Sequence, residues 1–421
     1  MNDLPLHARQ IYLLLTHYHL LRFSAHGKPR RQKRNSLQYN DIGTSQLISN
    51  QLIANFLILK PSTTTDQNER TCMIFAAFTC HPGHGETLPI PSFMHDLLEA
   101  YTSVRRQPNN LHLEDISLFA HEFSKEIPDS HFKEIDNAFV LGDTVLTIRP
   151  FKFYEQDTQM AKRKARKYLK QLPLLFTRPL RIKKALWITD DKSDNYFHWL
   201  TDCLTRLLAM EPFLTPDTVL LLPGKLERLS FVGDSLSAFG ISVVYYDPAR
   251  AVLVDTLILP THIAPAGNYH SGIIGQVRER LSRPAIPAGR NIYVSRRNAA
   301  RRTISNEEEV RQTMEANGFE THYFENYSFG DQTSIMSQTR HLAGLHGAGL
   351  ANMIFMPPGG AVLELRIRND HRNNCYFSLA SEMGHDYYYL LNNAEGQRTL
   401  TSIVTVDVQQ LKETLISITT R

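Results

Sequence analysis

The sequence predicts an α/β protein made of two halves in which strands and helices alternate. Three observations lead there. From Arg181 onward, apolar runs of strand length alternate with runs of helical period, the pattern of parallel strands covered by helices on both faces. The alternation stops at "SRPAIPAGR" (Ser282 to Arg290), where two prolines and a glycine mark a linker, and then restarts. The 421 residues, 42% hydrophobic and 21% charged, give enough chain for two such domains. The division that follows is a basic, amphipathic segment 1–35, a domain 36–285, and a domain 286–421 that ends in a helix.

The elements can be read in order. "IYLLLTHYHLLRF" (11–23) is apolar but short, and a spanning helix takes about 20 apolar residues. No small-residue cleavage site follows it, which argues against a signal peptide. With the basic run "KPRRQKR" (Lys28 to Arg34), it reads either as a peripheral membrane contact over residues 11–34 or as a packed helix followed by a solvated loop. "HPGHGE" (His81 to Glu86) is a turn without a third fixed ligand, so no metal is expected there. "MAKRKARKYLK" reads as an exposed basic helix. In the first half, "KKALWIT" is a strand and "DNYFHWLTDCLTRLLAM" a helix. "DTVLLLP" is a strand, "LERLSFVGDSLSAFG" a helix stopped by Gly240, and "ISVVYY" and "AVLVDTLILP" are strands. In the second half come the strand "RNIYVSR", the helix "SNEEEVRQTMEANG" and the strand "FETHYFE". Ser305 and Glu308 fit a capping box, and Gly318 fits a helix stop. "VQQLKETLISI" is the terminal helix.

A net charge of +4 is small for this length, and the basic runs lack interleaved aromatics for stacking bases. A nucleic-acid partner is therefore not expected. Four cysteines, Cys72, Cys80, Cys203 and Cys375, form no CxxC pair. This speaks against zinc ribbons and disulfide frameworks and for a reducing, cytoplasmic setting.

Three constellations carry chemistry. In "SDNYFHWLTD", His198 and Asp202 stand at i and i+4 on one helix face, with Arg206 continuing it. An imidazole beside a carboxylate near a strand's end is either a general base or a surface polar pair. In "YVSRRNAARRTISNEEEV", a strand delivers Arg296 and Arg297 to a loop, and Arg301 and Arg302 precede a helix. Such guanidinium groups repel one another unless a diphosphate, or the nearby Glu307, Glu308 and Glu309, shares them. In "RHLAGLHGAGLANMIFMPPGGAVLEL", Gly347 and Gly349 let backbone approach a ligand, and a short helix over Leu350 to Met356 offers free N–H groups. The stretch lacks the P-loop lysine and the GxGxxG spacing. His346 could donate to a phosphate, and Glu364 interrupts a buried strand, where an acid needs donors such as sugar hydroxyls.

Taken in this order, "NYFHWLTD", "SRRNAARRTISNEEEV" and "HGAGLANMIFMPPGGAVLEL" resemble glycosyltransferase family 61 over about Ala185 to Ile367. The family includes bacterial surface-polysaccharide and plant xylosyl transferases. The resemblance implies a GT-B-like fold, two Rossmann-like domains facing across a cleft, with the sugar nucleotide held mainly by the C-terminal half. It implies inverting transfer from a nucleotide-diphosphate sugar, UDP-linked in expectation, to a glycan or glycolipid acceptor, without a bound metal or other cofactor. Asp202 would be the base, assisted by His198. Arg296, Arg302, His346, Gly347, Ala348, Gly349, Asn352 and Glu364 would hold the donor, with Glu364 on the ribose or base. The setting would be surface-polysaccharide synthesis at the inner face of the cell membrane. A polysaccharide pyruvyl transferase and a non-catalytic nucleotide- or glycan-binding protein are the alternatives.

Overall fold

The computed structural model describes residues 94–154, 165–282, 289–298, 301–368, 370, 373–395 and 402–420. The segment 11–34, the "HPGHGE" turn, Cys72, Cys80 and linker residues 283–288 lie outside the described residues. Those described belong to one compact unit, Glu86–Arg421.

The first sheet has a parallel centre. Strands β1 (Leu180–Leu186), β2 (Val219–Pro223), β3 (Val243–Tyr246) and β4 (Val252–Pro260) run in the order β3-β2-β1-β4. β2 and the end of β4 are near-continuous apolar runs, as strands covered on both faces require, whereas β1 is buried only at Ala185 and Leu186. Beyond β4 the sheet turns antiparallel, through Ser130–Leu141, Thr144–Ile148 and Phe151–Phe153. The second sheet is parallel through β5 (Arg290–Val294), β6 (Glu320–His322), β7 (Thr339–Leu345), β8 (Ala361–Ile367) and β9 (Asp386–Glu395), in the order β6-β5-β7-β8-β9. An antiparallel strand, Ile403–Thr405, follows β9.

The helices are α1 (residues 196–210), α2 (Ser271–Leu281), α3 (Glu307–Ala316), α4 (Phe329–Met336), α5 (Cys375–Glu382) and α6 (Val408–Thr419). One hydrophobic cluster takes side chains from both sheets and the helices between them: Leu186, Trp199 and Ile274 from one half, Leu342, Ile354 and Phe377 from the other. Removing such side chains from water stabilises by roughly 1.5–3 kcal/mol each.

Several local expectations are corrected. The first turn of α3 is not closed by a capping box. Its N-cap is Asn306, and the Ser305 hydroxyl instead pairs with Thr405 and the Val404 carbonyl. The helix expected over 226–240 is two short pieces, Gly224–Arg228 and Ser230–Leu236. The glycine-loop helix is a 3₁₀ helix, Ala348–Phe355. Gly240 and Gly318 do take the left-handed conformation that stops a helix.

Arg105 fastens the start of the described chain to α5. Its guanidinium, buried, donates to Glu122 at 2.6 Å and to Asn268 at 2.7 Å, with Glu382 of α5 at 3.7 Å. Removing one partner of a buried pair leaves an uncompensated charge, at a cost of about 3–5 kcal/mol. Arg105→Met should therefore lower the urea midpoint steeply, and an unshifted midpoint would show the pair to be dispensable.

Candidate active site

The second parallel sheet has a point where connections leave adjacent strands in opposite directions, the position where open α/β sheets leave a crevice beyond their carboxyl ends. In the second sheet it lies between β5, which connects towards β6, and β7, which connects towards β8. β5 ends in Ser295 and Arg296, and β7 ends in His346 and Gly347. Two of the three constellations thus meet at one crevice. In the first sheet the neighbouring strands β1 and β4 lead into Asp190 and His262.

The first constellation sits on α1. Its first turn is capped by the Asn195 side chain, which accepts from the Phe197 N–H. The next turn, Trp199–Cys203, is a π turn, a feature common where a helix is bent to a task. Arg206 donates to the Asp202 carbonyl at 3.0 Å, and Thr205 also bonds it at 3.2 Å. His198 Nδ1 meets Asp202 Oδ2 at 2.7 Å, with side chains 20% and 5% exposed. The imidazole is the accessible member, and Nε2 is the nitrogen turned away from the carboxylate. Trp199 and Cys203 are buried as expected, but Arg206 is fully buried as well.

Arg206 explains a network the sequence did not disclose. Its other end donates to Asp190 at 3.1 Å, and His262 Nε2 meets the same carboxylate oxygen at 3.0 Å. The Lys192 N–H and the Ser193 hydroxyl donate to the second oxygen. Burial alone would raise the Asp190 carboxyl, but the His262 hydrogen bond and the Arg206 charge hold it well below the usual carboxylate range. The only signal in the sequence was an arginine inside an apolar helix, which must find a buried acid.

In the second constellation, Arg296 donates to the main-chain carbonyls of Arg302, at 3.1 Å, and Arg301. Arg302 takes a left-handed conformation (φ 55°) and donates to the His346 carbonyl at 2.5 Å. Burial, then the like charge of Arg302, lower the Arg296 pKa. The neighbouring acids are engaged elsewhere: Glu307 by the Tyr293 and Ser295 hydroxyls, Glu308 by Arg311. Arg297 and Arg301 are exposed.

The third constellation closes over the first two. Gly347, Ala348 and Gly349 are half-exposed and open the 3₁₀ helix. A Cβ at Gly347 would lie 2.2 Å from Arg296 Nη1, so the glycine makes room for the guanidinium. Three expected ligand contacts change role. Glu364 is fully buried, with His346 Nδ1 on one oxygen and the Tyr387 hydroxyl on the other, so no face remains for a ribose. Burial would raise its pKa, but the His346 and Arg366 charges hold it down. His346 is itself committed, since its Nε2 pairs with the Asn373 side-chain amide at 2.9 Å. Asn352, buried, accepts from the Tyr196 hydroxyl at 2.7 Å and donates to Gln332 and the Gly349 carbonyl. These three shape the loop, and the Tyr196–Asn352 bond pins it to α1.

Among the described residues no group of three or more His, Cys, Asp or Glu stands together as a metal site. Nor is any helix among them long and apolar enough to cross a membrane.

Residues 196–363 match the sequence model of the family described as Glycosyltransferase 61. Over 117 residues the chain is 34% identical to the EGF domain-specific O-linked N-acetylglucosamine transferase of Drosophila melanogaster. That match covers 26% of this chain and 22% of the relative.

Gly347→Ala should push the Arg296 guanidinium aside. Because that group ends a flexible side chain, melting temperature should change little. Inorganic pyrophosphate, titrated calorimetrically, should bind roughly tenfold more weakly, the worth of one hydrogen bond to a charged group. Unchanged affinity would separate Arg296 from anion binding.

Proposed function

We propose, from the premise that residues 196–363 belong to glycosyltransferase family 61, that this chain moves a sugar from a nucleotide-diphosphate sugar to a hydroxyl of a glycan or glycoconjugate, inverting the anomeric centre. The observation that carries the reading is the Tyr196–Asn352 bond. It fastens the helix bearing a His–Asp pair to a glycine loop packed on two arginines.

His198, rather than Asp202, is the base in this reading. Asp202 holds Nδ1–H, orients the ring and stabilises the imidazolium, while Nε2 takes the acceptor's proton. The acceptor oxygen attacks the anomeric carbon on the face opposite the diphosphate, and the C–O bond to the phosphate breaks. Charge gathering on the departing oxygen is met by Arg296, Arg302 and the N–H groups that follow Gly347. Such preorganised donors typically contribute about 3–4 kcal/mol each to the barrier. His346, Glu364 and Asn352 keep the loop in shape.

The finer parts of the proposal rest on the family resemblance. The 286–421 half would hold the donor and the 36–285 half the acceptor, in a GT-B arrangement. The donor is UDP-linked, no metal takes part, and the setting is surface-polysaccharide synthesis in the cytoplasm, peripheral to the membrane through residues 11–34. Two buried free thiols, Cys203 and Cys375, fit a reducing compartment. N-Acetylglucosamine, named for the fly relative, belongs in the first donor panel.

His198→Gln should lower transfer by about 10²–10⁴ while leaving UDP affinity nearly unchanged. Turnover within a few-fold of wild type would place the base elsewhere. A panel of UDP-, GDP- and CMP-sugars, read by thermal shift, should single out one nucleotide, since ligand at 100 times its dissociation constant adds about 2.7 kcal/mol. Transfer should survive a chelator; activity that vanishes with EDTA and returns with manganese would overturn the metal-free mechanism.

A further inference from the structure

Tyr376 is used by nothing described so far. It is the second residue of α5 and lies outside the matched stretch 196–363. It is buried, and its ring meets the His346 ring edge-on at 4.8 Å and the Phe197 ring at 5.5 Å. Phe197 precedes His198, so the phenol stands between the helix that bears the base and the loop that follows β7.

Its hydroxyl is an exception among buried tyrosines. Tyr196 donates to Asn352, Tyr269 to the Cys375 carbonyl, Tyr293 to Glu307 and Tyr387 to Glu364. Among the described residues the Tyr376 hydroxyl has no hydrogen-bond partner. Nor is it one of the sealed, unpaired polar atoms of the described residues, so the hydroxyl is open to solvent. Burial and the nearby Cys375 and Glu364 raise its pKa well above the ordinary value, so it remains an O–H donor, while Arg296 and Arg302 act in the opposite sense. Both arginines are also tied to the loop that Tyr376 packs on, Arg302 through the His346 carbonyl and Arg296 against Gly347. A donor beside two cations, in a crevice with glycine N–H groups, suits an anion and little else.

We infer that the Tyr376 hydroxyl donates a hydrogen bond to the leaving diphosphate, as a third side-chain donor beside Arg296 and Arg302. The inference rests on the glycosyl-transfer reading and adds to it a residue in contact with the reacting group. As the bond from the anomeric carbon to the phosphate oxygen breaks, the electron pair stays on that oxygen. Tyr376 stabilises it without giving up its proton.

The test uses the full chain, Tyr376→Phe and inorganic pyrophosphate, which removes any dependence on the nucleoside. Wild type should bind pyrophosphate and Y376F should bind it about tenfold more weakly, the loss of one hydrogen bond to a charged acceptor. Without ligand, Y376F should melt at or slightly above the wild-type temperature, because the hydroxyl bonds no described group of the protein. A structural hydroxyl would move stability the other way. Equal affinity in Y376F overturns the inference and leaves the glycosyl-transfer reading standing. A lower melting temperature of the unliganded variant, or failure to fold, shows that the hydroxyl serves the fold and overturns it as well. Wild type that binds neither pyrophosphate nor any nucleotide sugar brings down both.

Discussion

Two positive charges held side by side, without the carboxylates nearest in sequence, set the terms for the rest of this molecule. Arg296 and Arg302 both donate to main-chain carbonyls, which orient their guanidinium groups. Arg302 adopts a left-handed backbone, a conformation that non-glycine residues enter only where the surroundings impose it. Glu307 and Glu308 satisfy other donors. The surrounding network holds the two charges beside the glycine loop.

The register of the second sheet shows how that network is built. In the β7–β8 pair, Gly344 lies opposite Glu364 and Leu345 opposite Leu365, and the His346 N–H reaches the Leu365 carbonyl. His346 therefore leaves its strand directly beside the carboxylate of the neighbouring one. Glu364 fixes the ring, the ring and Arg302 fix the main chain before Gly347, and the loop inherits its path from a carboxylate that never meets solvent. Arg366, two residues further along β8, supplies positive charge to Glu364 from the same side of the sheet.

Much of this was legible in the sequence, and the misses have physical causes. The alternation of strands and helices gave the parallel cores, because strands covered on both faces must be apolar runs. The antiparallel strands between Ser130 and Phe153 were not foreseen; they show no helix between them to announce a crossover. The pairing of His198 with Asp202 follows from helix geometry alone. Which of the two is the more buried does not, because it depends on the packing around Arg206 and Asp190. Glu364 was recognisable as an acid in need of donors, but its donors come from His346 and Tyr387, which only the strand register brings close. Tyr376 could not have been found from sequence, since what distinguishes it is a contact it lacks.

The Arg105 clamp has a bearing on where this protein can be divided. It joins residues around 101–127 to Glu382, at the far end of the helix whose second residue is Tyr376. Asn374, which precedes that helix, also donates to the Leu118 carbonyl, and Phe119 packs against Phe377. A polypeptide trimmed to the matched stretch 196–363 would keep the His198–Asp202 pair, the arginines and the glycine loop, yet lose the floor beneath them. The segment that looks least like any relative is, mechanically, the foundation of the most recognisable part.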